Sequence, residues 1–571
     1  MASAMILVLI ASAALSWFAL PRVDSFLSNL SINYLLANTF PLLAMFILIL
    51  CLTTRPIVSA MSTIFAATLI VLGSNFKYSV VSQPVLISDF LLARQVAENT
   101  ELFGKYFIEQ WYLGLVVLLV LAAPILAFFL ERPLTRWMPA RIGLALLAVI
   151  AIGFMPQWAF KRGSVTQSLY ESTNLPFYDR DPIATAKASG LFASLIRSSS
   201  DLYFEVPKGE IGSSEDRGRL ILLAREALTR SSSKNEFSPD LIVVVNEAFF
   251  DLRLIDPKLP ADIYAPWDRL KEHSIHGSIQ VDTYGGATLR TEFSALTGIP
   301  LDVFPGGVDY PYFSIVSYPF RSLPHYLRSL DYRTVAIHPY NPRFWNRDVV
   351  YPYLGFDSFL SSSAFADAEH DGPYVSDAAV CDTVFKTLDE SSGPTYVFVV
   401  TMENHGPWGF ERGSPSARSL EHIGEPTTAL ALNRYLYHLE NAMRMAECLI
   451  DGLGNRERSA AMVFFGDHAP ALPEVYKELG LANPWTSREL KVPPFIAWRS
   501  WSDVSEERIL HVSYLPSLLL EISGVDMNDF FTANAYMRER CRVGVKDCDV
   551  DDKLKAAYTQ LVYDQFEIAR E

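Results

Sequence analysis

The sequence predicts about five transmembrane helices followed by a doubly wound, mostly parallel α/β domain. Three observations carry this expectation. First, charge is unevenly distributed: residues 1–160 hold eight Lys/Arg and six Asp/Glu, whereas residues 161–571 hold 40 and 57, a net −17. Second, the early part contains runs of about 20 mostly apolar residues, the length needed to cross a hydrocarbon core. Third, the later part contains short, continuously apolar, β-rich runs separated by stretches long enough for helices. This is the pattern of a sheet covered on both faces. At 571 residues, the chain is long enough for two or three domains. The boundaries expected are a membrane part over 1–160, a connector over 161–239 and the α/β domain over 240–571.

Four membrane runs are clear: Ala2–Leu20, Tyr34–Leu52, Ile57–Gly73 and Trp111–Leu130. Ile142–Phe160 is a fifth, uncharged but interrupted by Gly153 and Pro156. No basic segment precedes the first run, which argues against a cleaved signal peptide. The turn after the second run carries Arg55, and the turn between the fourth and fifth carries Arg132, Arg136 and Arg141. The positive-inside bias places both turns in the cytoplasm, and five crossings then put the large domain outside. Loop 75–110, with Arg94, Glu98, Glu101 and Lys105, reads as a helix along the membrane surface or as a segment packed on the large domain. In the connector, Arg219–Thr229 is the clearest helix.

The acidic balance, −15 over the whole chain, argues against a nucleic-acid partner, since a phosphate backbone needs a basic face. Five cysteines are too few for a disulfide scaffold. Cys541 and Cys548 lie close enough to bridge in an oxidising compartment, and two free thiols are the other reading.

Four strands are expected: Leu241–Val245, Thr334–Ile337, Tyr396–Val400 and Met462–Phe465. Ligands in open α/β sheets bind beyond the carboxyl ends of the strands, so the residues just after each strand are the informative ones. Asn246-Glu247 come after the first. His338, then Phe344-Trp345-Asn346-Arg347, come after the second. Glu403-Asn404-His405-Gly406-Pro407 succeed the third, and Gly466-Asp467-His468 the fourth. Each alone is weak: a lone Glu there is usually a cap or a surface group. Together they gather metal-capable and anion-binding groups at one edge. A fifth piece is Tyr284-Gly285-Gly286-Ala287-Thr288-Leu289-Arg290-Thr291-Glu292-Phe293. Its glycines lead into a helix over 288–297 that Gly298 and Pro300 end, putting Thr288 at or just before the helix N-terminus. Ordinary hydroxyl capping is one reading of Thr288. Stabilisation of a phosphate or an alkoxide at that terminus is the other.

These motifs, in this order, resemble the lipoteichoic acid synthase and phosphoglycerol transferase family of the alkaline phosphatase and sulfatase superfamily. The resemblance covers roughly 241–566, and the apolar N-terminal runs match that family's usual layout. It implies a divalent metal, manganese or magnesium first and zinc as a third option, held by Glu247, Thr288, Asp467 and His468. Thr288 would be the nucleophile, and His338, Trp345, Arg347 and His405 would bind the substrate head group. One departure is visible. The Gram-positive synthases carry a carboxylate two residues beyond the first substrate histidine, where this chain has Tyr340; this bears on glycerol recognition more than on catalysis.

The reaction implied is ping-pong transfer of phosphoglycerol. The donor would be a phosphatidylglycerol-type lipid in the bacterial inner membrane, and the acceptor a periplasmic glycan or glycolipid. A metal-bound hydroxyl explains why a threonine suffices as nucleophile. The alternatives are phosphoethanolamine transfer to lipid A or a glycan, and a sulfatase-like phosphodiesterase. The Phe344-Trp-Asn-Arg347 segment favours phosphoglycerol, and residues 284–293 lack the cysteine nucleophile typical of sulfatases.

Overall fold

The computed structural model describes residues 2–19, 31–92, 94–95, 111–135, 138–153, 164–178, 181–199, 211–229, 238–304, 308–408, 420, 422–481, 483–545 and 548–567. It divides into two compact units, Met1–Phe204 and Glu205–Glu571.

Among the described residues, the first unit contains five apolar helices: α1 (Ala2–Phe18), α2 (Ile32–Thr53), α3 (Pro56–Val81), α4 (Trp111–Leu130) and α5 (Met138–Gly153). They coincide with the first four apolar runs expected and with the start of the fifth, α3 extending past Gly73 into the segment read as a loop. Two of them, α2 and α3, are long and apolar enough to cross a membrane. Ala2–Phe18, Gly114–Leu130 and Met138–Leu147 are shorter apolar stretches among the described residues. The end of the fifth run, and Glu98, Glu101 and Lys105 of the surface-helix reading, lie outside the described residues.

Small residues let the helices approach: Ala4, Val8, Ala60, Ala67 and Val71 pack with Leu42 and Phe46. Buried polar groups inside the bundle are paired, as an apolar surround requires. Thr39 donates to Ser12 over 3.0 Å. Asn38 donates to the Ser189 carbonyl and accepts from the amides of Phe192 and Ala193, tying α2 to two short helices, Pro182–Ser189 and Leu191–Arg197. The two basic turns sit side by side. Leu134 donates its amide to the Thr54 carbonyl at 2.8 Å, Arg55 reaches the Phe128 carbonyl, and Glu131 caps the amides of Ile57 and Val58.

The second unit is built on an eight-stranded sheet. Its strands are β1 (Asp240–Asn246), β2 (Ile275–Gln280), β3 (Arg333–Ile337), β4 (Ser358–Leu360), β7 (Thr395–Val400), β8 (Ala460–Gly466), β9 (Pro494–Arg499) and β10 (Glu506–His511). A separate two-stranded ribbon pairs β5 (His370–Asp371) with β6 (Tyr374–Val375). The sheet order is β10-β2-β9-β8-β1-β7-β3-β4, with β9 antiparallel to both neighbours and the other pairings parallel. The four strands expected from sequence are therefore four adjacent strands, β8-β1-β7-β3. Every residue of β1, β7 and β8 is buried, because helices cover both faces.

Among the helices of this unit are α6 (Ser214–Thr229), α7 (Thr288–Thr297) and α8 (Arg347–Tyr353). On one face of the sheet Ile242, Val244, Val397, Val399, Met462 and Phe464 pack against α9 (Asp377–Asp389) and α10 (Pro426–Gly454). On the opposite face α11 (Leu515–Ser523) packs on β8 and β9. The expected helix Arg219–Thr229 is the later part of α6. It packs on α12 (Asp529–Arg540) and α13 (Asp552–Glu567). Cys541 bonds to Cys548, and Cys381 of α9 bonds to Cys448 of α10, a pairing the sequence did not suggest.

Asp240 opens β1 and accepts the Thr395 amide at 2.9 Å. Burial raises its carboxyl to about 6, with the Thr395 amide, Arg458 and Arg456 working against the shift. A carboxyl raised in the fold contributes fully below its unfolded value, near pH 4, and loses that contribution as pH rises through about 6. Between about pH 5 and pH 8 the wild type should lose on the order of 1 kcal/mol that Asp240→Asn keeps. Denaturant unfolding of both proteins at the two pH values checks this; equal pH dependence refutes it.

Candidate active site

The registers of β8, β1, β7 and β3 bring their ends to one level. Asn246 lies opposite Gly466, Val245 opposite Val400, and Ile337 opposite Val399. Glu247, Thr401, Asp467 and His338 thus leave the sheet side by side. Glu247 donates its amide to the Thr401 hydroxyl at 3.0 Å. Gly466 is required by space: a Cβ there would lie 1.8 Å from the Phe249 carbonyl oxygen.

Thr288 is the first residue of α7, and its N-cap is Ala287, which makes no side-chain cap. The hydroxyl is instead directed at Glu247, 3.5 Å away. Gly285 and Gly286, at φ 66° and 152°, shape the turn into α7. Two hydrogen bonds lock that turn onto the end of β8: the Gly285 amide to the Ala469 carbonyl, and the Thr291 hydroxyl to the Asp467 carbonyl.

Ligand-capable atoms of Glu247, Asp467 and His468 all lie within 4.8 Å of one another, and all three residues are buried. One Asp467 oxygen, Oδ1, accepts the amides of Ala248 and His468, each at 2.8 Å. The other, Oδ2, has no hydrogen-bond partner. His468 Nδ1 lies 3.0 Å from the Ala469 carbonyl, so the ring proton belongs there. That leaves Nε2 as a bare lone pair, also unpartnered, 3.1 Å from Asp467 Oδ2 and 3.5 Å from Glu247 Oε1. Three acceptors therefore face one another with only the Thr288 hydroxyl to share. Burial raises both carboxyls, and the Asp467 charge raises Glu247 further. Two carboxylates, an imidazole nitrogen and a hydroxyl suit a hard or borderline divalent cation. The residues present fit that group.

The second set of predicted residues lies beyond β3 and β7. His338 is buried; its Nδ1 faces the Val400 carbonyl at 3.0 Å and its Nε2 faces Arg347 Nη1 at 3.0 Å. Burial and the Arg347 charge hold the ring well below its ordinary pKa, so it is neutral. Arg347 is itself buried and forms an ion pair with Glu292 of α7. Tyr351 and Tyr312 also donate to that carboxylate, at 2.7 and 3.1 Å. Arg347 lowers the Glu247 carboxyl and Glu292 raises it, so both act electrostatically on the metal-type cluster. Trp345 stacks on Tyr310 with centroids 5.8 Å apart. His405 contacts Tyr374 at 5.7 Å, and its Nδ1 faces the Gly406 carbonyl at 2.8 Å. Tyr340 lies between His338 and Tyr374.

Several site-building backbones are left-handed without being glycine. Ala248, Ala287, Trp345 and Asn346 have φ of 52°, 60°, 58° and 61°. Each is, or adjoins, a predicted site residue, and such conformations concentrate at functional sites.

Sequence reasoning assigned no role to Glu292, Tyr312 or Tyr351, although Glu292 lies inside the Thr291-Glu-Phe293 motif. It also assigned none to a second group, Asp371, Glu403 and His438, whose atoms likewise come within 4.8 Å. Both Glu403 oxygens are occupied there. Oε1 accepts from His438 Nδ1 and Asn441, and Oε2 from the Asp377 amide. Asp377 in turn accepts from Asn246, next to Glu247. This group is a hydrogen-bonded scaffold under the strand ends.

A Rhizobium meliloti (strain 1021) protein named for cyclic beta-1,2-glucan modification is 28% identical over 421 residues, 71% of this chain. The match takes in 62% of that relative, so this chain spans less than two thirds of its length. The capsular polysaccharide biosynthesis protein RkpI of the same organism is 28% identical over 436 residues, 73% of this chain and 74% of that protein. Among solved structures, Streptococcus pyogenes phosphoglycerol transferase GacH in complex with sn-glycerol-1-phosphate shares the fold. Its TM-score is 0.50 at 20% identity, over 64% of this chain and 95% of that one. The Sulfatase family model matches residues 239–524, from the start of β1 to the glycine that ends α11. Spanning half of the sequence and all the strand ends that carry the site, this match shows that the chain belongs to the sulfatase family.

Proposed function

We propose that the chain is a membrane-anchored, metal-dependent transferase that moves phosphoglycerol from a phosphatidylglycerol-type lipid, through Thr288, to an extracytoplasmic glycan or glycolipid. The observation that carries this reading is the Thr288 hydroxyl directed at Glu247, beside the unpartnered Asp467 Oδ2 and His468 Nε2. A hydroxyl that neither caps its helix nor faces water is placed for chemistry.

When bound by Glu247, Thr288, Asp467 and His468, a divalent cation would lower the hydroxyl's pKa and offset phosphoryl charge. The residues do the rest. Thr288 Oγ1 attacks phosphorus as the bond from phosphorus to the diacylglycerol oxygen breaks, and the proton that the threonine gives up leaves on that oxygen. Phosphoglycerol is then esterified to Thr288. An acceptor hydroxyl attacks the same phosphorus, His405 takes its proton, the bond from phosphorus to Thr288 Oγ1 breaks, and His405 returns that proton to the threonine oxygen. Trp345, stacked on Tyr310, offers an apolar wall for the glycerol carbons.

The acceptor class is drawn from the two relatives named for glucan modification and capsular polysaccharide biosynthesis. Phosphoglycerol is preferred to phosphoethanolamine on the Phe344-Trp-Asn-Arg347 segment. Supporting the membrane anchor are apolar side chains exposed around the helices, among them Ile10, Ile47, Leu118, Leu126 and Phe129. Supporting the external placement are the adjacent basic turns at Arg55 and Arg132, the two disulfides, and the positive-inside bias.

Three outcomes test this reading. A reporter fused after Phe160 should be active only outside the cytoplasm; activity confined to the cytoplasm refutes the topology. Asp467→Ala and His468→Ala should lose bound metal by elemental analysis and lower turnover by several powers of ten, about 4 kcal/mol or more in barrier. Full turnover by a demonstrably metal-free sample refutes the scheme. With labelled phosphatidylglycerol and no acceptor, mass spectrometry should find phosphoglycerol on Thr288, and Thr288→Ala should give neither adduct nor diacylglycerol. A folded Thr288→Ala that turns over at the wild-type rate would show that the threonine is not the nucleophile.

A further inference from the structure

Helix α7 carries Thr288 at its start and Glu292 one turn later. Glu292 is fully buried and gathers four donors: Arg347 through Nε and Nη2, Tyr351, and Tyr312. On the far side of the guanidinium, Arg347 Nη1 donates to His338 Nε2 and to the Phe344 carbonyl. Of the five N–H groups an arginine possesses, these contacts use four, and Tyr351 also lies within hydrogen-bonding reach of the guanidinium. A free arginine sweeps a large volume. This one is clamped in plane, with the fork of Nε and Nη2 on a carboxylate and the opposite edge on a neutral imidazole.

We propose that Glu292 is a positioning residue for phosphoryl recognition. It acts through Arg347, fixing the guanidinium, whose charge reaches Glu247, beside the phosphoryl group of substrate held at Thr288. The proposal rests on the phosphoryl-transfer reading of the site. Because Thr288 and Glu292 share a helix, the nucleophile and the anchor of the anion-binding group move as one body. His338 then belongs to the same clamp, holding Arg347 rather than the head group.

A mutant cycle separates positioning from mere core structure. The variants are Glu292→Gln, Arg347→Gln and the double variant, which removes both members of the buried pair and so leaves no unpaired charge. The first readout is the affinity of the full-length, manganese-loaded protein for inorganic phosphate, by calorimetry. It needs no turnover and stays informative if the phosphoglycerol assignment fails. Glu292→Gln should weaken phosphate binding at least tenfold, and the double variant should bind no more weakly than Arg347→Gln. In lipid turnover, Glu292→Gln and Arg347→Gln should show the same split between KM and kcat. The proposal is overturned by a folded Glu292→Gln that binds phosphate like wild type, by additive losses in the double variant, or by a wild type with no saturable phosphate binding. Should Glu292→Gln not fold, the double variant against Arg347→Gln decides alone: equal affinity upholds the proposal, and a further loss overturns it.

Discussion

Burying like charge beside like charge is the constraint on which this catalytic unit turns. Glu247 and Asp467 lie in the interior with a lone-pair nitrogen of His468 between them, and the nearest arginine is committed to Glu292. Left alone, such a cluster costs several kcal/mol for each buried charge. The fold nevertheless holds it with hydrogen bonds that fix orientation without neutralising charge. Amides of Ala248 and His468 grip one Asp467 oxygen, the Ala469 carbonyl orients the imidazole, and Thr401 receives the Glu247 amide. The arrangement makes energetic sense as a seat for a cation.

The sheet makes that seat rigid. Its four central strands end at one level, so every charged group leaves a strand whose residues are fully or almost fully buried. The loop into α7 adds the hydroxyl and is bonded twice to the end of β8. A further layer lies beneath, where Asn246, Asp377, Glu403, His438 and Asn441 join β1 to α9 and α10. The Cys381–Cys448 bond links those two helices. The acidic cluster and its supporting network therefore converge on the same strand ends.

The parts legible in the sequence were those that obey local rules. β1, β3, β7 and β8 are apolar runs because both faces are covered, and the polar groups after them are abrupt departures from that pattern. β10, with Glu506, Glu507 and Arg508, is an edge strand with an exposed side, and β2 contains His276, Gly277 and Ser278. Neither shows an apolar run. β4 is only three residues long. Glu292 was hidden for a different reason. A glutamate within a helix is ordinarily a solvated residue, and its partner Arg347 lies 55 positions away. The Cys381–Cys448 pairing is likewise long-range, 67 positions apart, and no spacing rule reveals it.

The left-handed residues have a consequence for how this chain fails. Ala248, Ala287, Trp345 and Asn346 are each held where a side chain costs about 1 kcal/mol or more over glycine. Glycine would fit these joints more cheaply but would open many more backbone states. The chain keeps side chains there, and so trades folding stability for a narrow spread of ligand positions. The sheet core bears no such tension. Being folded and being competent are thus separate properties of this molecule, held by different residues. Relaxing any of these four joints would shift a neighbouring site residue without unpairing the strands beneath it.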